Sequence, residues 1–577
     1  LEEKGLVILE EEETLRKPAG EEYSERALAP ELTPQQARTA GELVEALNAG
    51  GGRFLLHGVT GSGKTEVYIK LIEACFAAGR TAIVLVPEIS LTPQTVGWFR
   101  ARFGDDAAVI HSRLSAGERY DEWRRIRRGE ARVVIGARSA VFAPLGNIGA
   151  VIIDEEHEHT YFSEHRPRYD TREVAQKRAE AAGAVLLLGS ATPSISSYMR
   201  CMPKVKPANR LRLLEMTERA NGRPLPEVEI VDMSKEFSRG NNSVFSASLQ
   251  RALRSCADAG QQAMLLMNRR GYNTFVSCRS CGYVDKCDMC DVAMTYHMDE
   301  NTMQCHYCGA THKPLTVCPQ CGSKYIKYFG AGTQKVEDEL KKLLPGLPVG
   351  RMDIDTTRGK DSHERILGAF RRGETRVLVG TQMIAKGLDF PNVTLVGVIA
   401  ADMTLNMPDY RSSERTFQLL TQAAGRAGRA NEAGRVIVQT YEPEHYAVKL
   451  AADQDYRAFY HLEAAYRRKG LYPPFTVLVR LLASSRAEEP AQTAVQAIET
   501  ELRDWLSRHP GFEKDIIKIH TRPAPMKRLR GEFRYQVFIK IFTKGASDEI
   551  LAYLEQLAAV PRDHARIDLE VNPVNLM

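Results

Sequence analysis

No stretch of the 577-residue chain reaches the eighteen or more apolar residues that a membrane span needs, and no signal peptide opens it. The reading therefore favours a cytoplasmic protein with no membrane partner. Internal repeats and low-complexity tracts are missing as well, beyond an acidic start. Cysteine is scarce outside one block: Cys75, Cys201 and Cys256 are scattered and read as ordinary thiols, while the other eight of eleven fall between 278 and 321. In a reducing compartment, clustered C-x-x-C pairs are metal ligands far more often than disulfides.

What is present is an ordinary globular composition, 43% hydrophobic and 26% charged, long enough for about three or four domains. Residues 1–31 hold ten Glu against four Lys or Arg, so the net +5 hides a more basic remainder, compatible with a polyanionic partner. The chain opens on Leu1 rather than Met, as a piece of a longer protein would.

The organisation follows from apolar runs. After the acidic lead-in (1–31), continuous β-branched runs at 53–58, 81–87, 133–137, 150–156 and 184–193 read as buried parallel strands, alternating with helical stretches. They define a first α/β lobe over 32–202, and a Pro-dotted linker follows at 203–225. A second lobe covers 226–273 and 327–445, with the cysteine block (274–326) inserted after its first clear strand. A helical connector (446–469) leads to a C-terminal α+β domain (470–577) whose order, strand, helix, strand, strand, helix, strand, suggests a ferredoxin-like fold.

GVTGSGKT (58–65) matches G-x-x-x-x-G-K-T with a strand entering and a helix leaving. The glycines Gly58, Gly61 and Gly63 let backbone amides face phosphates, Lys64 reaches the β/γ-phosphates of ATP, and Thr65 ligates Mg²⁺. DEEH (154–157) ends a strand, which assigns Asp154 to Mg²⁺ and Glu155 to the attacking water. GSATP (189–193) ends another, where small polar residues can sense the phosphates. In QAAGRAGR (422–429) the spacing predicts Gln422, Arg426 and Arg429 on one helix face, as arginine fingers or as a solvated basic helix.

This set resembles the superfamily 2 helicases, which implies two RecA-like P-loop lobes with ATP between them. By that resemblance VGTQMIAKGLDFPNV (379–393) looks like motif V, with Gly387 and Asp389 contacting or coupling nucleotide. LTPQQ (32–36) likewise looks like an adenine-reading glutamine motif, with Gln36 preferred over Gln35.

Four C-x-x-C knuckles can build two Cys₄ zinc sites in three ways. Only five residues separate the first two, whereas fourteen separate the second and third, a better fit to a hairpin. The spacing predicts nested sites: Cys287, Cys290, Cys305 and Cys308 inside, Cys278, Cys281, Cys318 and Cys321 outside, two Zn²⁺ per chain. Four thiolates leave no open position, so both are structural, replacing a core that so short a segment cannot supply. The expected product is a rigid knob projecting near a nucleic acid strand, to split a duplex, touch a fork or dock partners.

An eight-cysteine insertion within the second lobe resembles the primosomal protein N′ family of bacterial replication-restart DNA helicases over 32–577. That resemblance implies 3′→5′ translocation, binding to single-stranded and forked DNA and D-loops, and partnership with single-strand-binding protein, the primosome and helicase-loading proteins. It implies a nucleoid-associated enzyme of the bacterial cytoplasm. Members also carry an N-terminal DNA-binding domain and a winged helix; only 1–31 precede LTPQQ here, so the former is expected to be absent and 1–31 to be a remnant of the latter.

In HTYFSEHRPRY (159–169), Tyr161, Phe162 and Tyr169 interleave with Arg166 and Arg168, suited to base stacking and phosphate attraction or to anchoring a loop on the core. Arg138 and Ser139 in GARSAVFAP are candidate phosphate ligands. Lys527 and Arg528 belong to a basic stretch near an expected hairpin, a phosphate patch or a solvated loop. The resulting expectation is an ATP-dependent helicase, with a fork-binding assembly platform or another nucleic acid translocase as alternatives.

Overall fold

In a computed structural model of the chain the described residues are 31–88, 93–112, 114–164, 166–267, 276–290, 292–297, 301–305, 309–328, 333–353, 356–357, 362–381, 384, 390, 392–428, 434–543 and 547–574. The chain divides into two compact units near Pro224.

The first unit is built on a seven-stranded parallel sheet in the order β3-β4-β2-β5-β6-β1-β7. Its strands are β1 (Gly52–Gly58), β2 (Thr81–Leu85), β3 (Ala107–Ile110), β4 (Val133–Gly136), β5 (Ile148–Ile153), β6 (Val185–Ser190) and β7 (Arg212–Met216). Helices on both faces bury β4, β5 and β6 completely, which is why they read as unbroken apolar runs. Because β5, β6 and β1 are neighbours, the segments following them emerge side by side at the carboxyl edge, where open α/β sheets bind ligands. The 203–225 stretch is not a bare linker, since its residues 212–216 pair in parallel with β1 as the sheet's edge. An edge strand is only half covered, so RLLEM lacks the apolar run by which a central strand is recognised.

The second unit carries a six-stranded parallel sheet, order β15-β16-β9-β17-β18-β8. Its strands are β8 (Glu227–Asp232), β9 (Gln262–Leu266), β15 (Val349–Met352), β16 (Val377–Gly380), β17 (Val393–Val398) and β18 (Arg435–Thr440). Between β9 and β15 lies the cysteine insertion, made of two small antiparallel arrays: β10 (Val276–Cys278) with β14 (Ile326–Tyr328), and β11 (Thr295–His297), β12 (Thr302–Gln304) and β13 (Thr311–His312).

The C-terminal strands β19 (Thr476–Ser485), β20 (Ile516–Leu529), β21 (Glu532–Phe542) and β22 (Arg566–Val571) form an antiparallel sheet in the order β20-β21-β19-β22. With helices at Glu488–Arg508 and Ser547–Ala559, this is the split-βαβ, ferredoxin-like arrangement.

The inner part of the insertion does not stand free. Cys287, Val292, Met294, Met303 and Cys305 share one apolar core with Tyr472, Leu478 and Phe538 of the C-terminal domain. Tyr472 donates its hydroxyl to the Cys290 carbonyl (3.2 Å), and Arg522 Nη1 donates to the Cys305 carbonyl (3.1 Å). A segment too small to enclose a core of its own shares one with a neighbouring sheet.

Candidate functional sites

The phosphate loop takes its shape from two glycines at positive φ, Gly61 (83°) and Gly63 (77°), the latter ending the loop at the N-cap of helix Lys64–Ala77. A Cβ at Gly63 would lie 2.1 Å from the Gln36 amide nitrogen, so glycine is required there for space as well as conformation. Gln36 is buried; its Oε1 accepts from Thr33 N (2.8 Å) and its Nε2 donates to the Ser62 carbonyl (3.0 Å). Gln36 therefore holds the loop in place. Gln35 instead accepts from Thr217 N at 2.9 Å, tying the segment after β7 to the same corner.

Lys64 Nζ donates to the Gly58 carbonyl at 2.9 Å, and Thr65 follows it in the first turn of the helix. Across from them Asp154 Oδ1 accepts from the Tyr68 hydroxyl at 2.9 Å. Burial and the neighbouring Glu155 charge push the Asp154 carboxyl up to about 6, against the pull of Lys64 and Tyr68. Glu155 adopts a positive φ of 46°, rare for a residue with a side chain, and its Oε2 is buried without a hydrogen bond. The same Oε2 lies 3.5 Å from His157 Nδ1, so the strained carboxylate stands between Asp154 and the imidazole.

The remaining members of DEEH connect this site to GSATP. His157 Nδ1 lies 2.7 Å from Ser190 Oγ, which accepts from Thr192 N at 2.9 Å. Glu156, fully buried, accepts from Ser194 N (2.7 Å) and Ser197 Oγ (2.8 Å). Sequence reading gave neither Glu156 nor His157 a role, because their partners lie more than thirty residues away in the chain.

QAAGRAGR differs from its expected form. The helix Ser412–Ala424 ends before Arg426, with Gly425 at its cap and Gly428 at φ 66°. Arg426 therefore lies beyond the helix that holds Gln422, and the left-handed Gly428 turns the chain away after it. Arg429, Gly387 and Asp389 lie outside the described residues.

The cysteines gather in nested order. The Sγ atoms of Cys278, Cys281, Cys318 and Cys321 lie within 4.8 Å of one another, as do those of Cys287, Cys290 and Cys305; Cys308 lies outside the described residues. Cys278–Cys321 and Cys281–Cys318 stand at 3.7 and 3.6 Å. A tetrahedron with Zn–S bonds of about 2.3 Å has edges of about 3.8 Å, so the outer thiols fit zinc and are too far apart for disulfides. Gly282, Gly309 and Gly322, each following a C-x-x-C pair, sit at positive φ and donate back to the pair's first cysteine, shaping three of the knuckles.

The expected DNA contacts divide. Tyr161 is buried at 1% exposure and its hydroxyl donates to the Leu85 (3.0 Å) and Asp154 (2.6 Å) carbonyls. It is a core prop behind the acidic strand end, and no base reaches it. Arg138 is also engaged, Nη1 donating to the Phe162 carbonyl (2.7 Å), which tethers the 159–170 loop to the segment after β4. Ser139 and Arg166 are exposed, Phe162 and Tyr169 half-buried, and Arg168 donates to the Glu164 carbonyl. Tyr169 packs edge-on against Phe142 at 5.0 Å, and Phe142 is 54% exposed, an aromatic that sequence reading passed over. On the β20–β21 hairpin Lys527 pairs with Glu488 at 2.8 Å and Arg528 lies over the Phe533 ring.

Residues 29–195 match the type III restriction enzyme res subunit family and 323–431 the helicase conserved C-terminal domain. Residues 287–313 match the PriA DNA helicase Cys-rich region and 468–574 the primosomal protein N C-terminal domain. The chain is 47% identical to replication restart protein PriA of Bacillus subtilis (strain 168), over all of its own length and 70% of that protein. It is 43% identical to the same-named protein of Synechocystis sp., over all of this chain and 68% of that one. For the Treponema pallidum protein the figures are 39%, 92% and 79%. The solved structure of RecG bound to a three-way DNA junction is more distant, 18% identical with a TM-score of 0.46 over 76% of this chain and 47% of that one. With a phosphate loop, a Cys-rich region and a C-terminal domain of this kind, the chain belongs to the PriA family of replication restart proteins and is an ATP-dependent DNA helicase with zinc-binding cysteines.

Proposed function

We propose that the chain unwinds DNA 3′→5′ at stalled or abandoned forks and D-loops and promotes primosome assembly there, in the nucleoid-associated cytoplasm of a bacterium. Its partners on this reading are single-stranded and forked DNA, single-strand-binding protein and the proteins that load the replicative helicase. The observation that carries the motor reading is the linked set at the carboxyl edge of β1, β6 and β5: Lys64 on the loop, the strained Glu155 beside Asp154, and the His157–Ser190 contact to GSATP. Bound ATP with Mg²⁺ supplies the anhydride and the charge neutralisation. The loop amides and Lys64 hold the phosphates, Thr65 and Asp154 hold the ion, and Glu155 orients the water and accepts its proton.

Arg426, Arg429, Gly387 and Asp389 are assigned to hydrolysis and coupling by their motifs. Ser139, Phe142, Phe162, Arg166 and Tyr169 at the edge of the first sheet are assigned to the single strand, and the Lys527–Arg528 hairpin to phosphates. Zinc is assigned at two ions per chain. The test is DNA-stimulated ATP hydrolysis and strand separation on a forked substrate, beside Glu155→Gln and a metal analysis. Unwinding that is lost in the variant, with about two zinc per chain, supports the reading. Tight fork binding without unwinding favours an assembly platform instead.

A further inference from the structure

The helix Ala116–Arg128, which covers the edge of the first sheet, presents a face that its own packing does not explain. Its inner side is fixed: Ile126 and Glu122 are buried, and Glu122 Oε2 accepts from Val109 N of the edge strand β3 at 3.0 Å while Oε1 accepts from Arg125 at 2.6 Å. That contact satisfies a backbone donor that an edge strand otherwise leaves open. On the outer side, Tyr120, Trp123, Arg124 and Arg127 fall at i, i+3, i+4 and i+7, one stripe of a helix. Tyr120 is 60% exposed and Trp123 38%. The Arg124 guanidinium stands 5.4 Å from the Tyr120 ring centre and that of Arg127 5.3 Å from the Trp123 ring.

The stripe carries no carboxylate. Glu118 closes a capping box with Ser115, Asp121 is buried, and Glu122 faces the sheet. A surface of exposed aromatic rings alternating with arginines, with no acid among them, complements a polyanion whose bases are accessible. Position agrees with composition. The helix starts five residues after β3, and Ala137 N donates to the Ile110 carbonyl at 3.3 Å, so the segments leading to Tyr120 and to Ser139 leave adjacent strands at the same edge.

We propose that this face binds single-stranded DNA, Tyr120 and Trp123 stacking on bases and Arg124 and Arg127 meeting phosphates. The surface spans about 10 Å from Tyr120 to Arg127 at the helical rise. It extends outward the strand path assigned above to Ser139 and Phe142, and so rests on that reading. A duplex offers no base faces to the rings, which is why the single strand is the occupant favoured.

The chain contains three tryptophans, so Trp98→Phe/Trp505→Phe leaves Trp123 as the only one and its emission reports the site. Titration with oligothymidylate is expected to quench that emission saturably, over the concentrations at which anisotropy of a labelled oligomer reports binding. Arg124→Gln/Arg127→Gln, with an unchanged melting temperature, is expected to weaken that binding about tenfold and to lower its salt slope by about 0.7 per arginine. Absence of quenching at saturating oligothymidylate overturns the proposal, as does quenching by duplex alone. If Phe142→Ala weakens binding and the arginine variant does not, the edge reading stands and this extension fails. If the arginine variant weakens binding and Phe142→Ala does not, the face binds the strand and the edge reading fails.

Discussion

Asp402 and Asp409 sit in one short stretch of the second lobe and are both buried, yet their carboxyls move in opposite directions. Burial pushes Asp402 up to about 6, although Thr440 Oγ1 (2.7 Å) and Tyr441 N (2.9 Å) donate to it. Burial also works to raise Asp409, but Arg411 and Arg415 outweigh it and hold that carboxyl at about 2. For Asp402 the folded value lies above the unfolded one of about 3.9, so its favourable contribution is complete below that pH and is lost as pH rises through about 6. Asp402→Asn should accordingly stabilise the fold at pH 7.5 by up to about 2–3 kcal/mol and have little effect near pH 4. Asp409 obeys the opposite sign: its contribution is present above about 3.9 and lost as pH falls toward about 2. Asp409→Asn should cost about 2–3 kcal/mol at pH 7.5, and denaturant unfolding across pH 2–8 checks both. At this scale the sequence was least readable. Tyr161 and Phe142 are both aromatic residues in loops near the acidic strand end, and nothing in their local spacing tells that one props the Asp154 carbonyl while the other stands in solvent.

Among the elements, the long apolar central strands announced themselves, while the mixed strands β7, β8 and β15 did not. β5 and β6 are apolar on both faces, whereas β7, β8 and β15 are half-exposed, and their mixed sequences hide the period. The cysteine nesting was readable because a zinc tetrahedron limits which knuckles can face each other. Where the insertion rests was not, since a shared core is a relation between segments far apart in the chain. That shared core makes the two cysteine groups unequal. Cys287 and Cys305 are packed with Tyr472, Leu478 and Phe538, while Cys321 of the outer set is exposed. Cys287→Ser/Cys305→Ser should therefore raise amide exchange in β19 and β21 of the C-terminal domain as well as in the insertion. Cys318→Ser/Cys321→Ser should raise it in the insertion alone. Equal exchange in β19 for both variants would mean that metal does not support the shared core.

Across the second unit, the end of the chain is tied to the helix that leads to Arg426. Arg411 Nη2, just ahead of helix Ser412–Ala424, donates to the carbonyls of Pro573 (2.7 Å) and Val574 (3.0 Å) beyond β22, and Arg415 Nη2 donates to Val574 as well (3.1 Å). A second tie comes from the connector: Arg467, buried, bridges Glu414 (2.5 Å) on that helix to Glu463 (2.7 Å), which accepts from the Tyr446 hydroxyl (2.6 Å). Buried networks with every charge paired are rigid, and removing one member leaves the others uncompensated at a cost of about 3–5 kcal/mol. The outer tie is made by the same arginines that pair with buried Asp409, so removing both also lowers stability, and turnover is read per folded molecule. If this tie fixes the helix that delivers Arg426, Arg411→Ala/Arg415→Ala should lower the turnover number for DNA-stimulated hydrolysis about tenfold. The KM for ATP and the affinity for single-stranded DNA should change less than twofold, because neither the phosphate loop nor the strand path is touched. Asp409→Asn, which frees the same arginines of their counter-charge but leaves the carbonyl contacts, should lower stability with a smaller effect on turnover. Turnover that falls only in proportion to the loss of folded protein in both variants would reduce the tie to a stabilising contact. Turnover that falls in the arginine pair at full folding would show that the C-terminal domain sets the pace of hydrolysis.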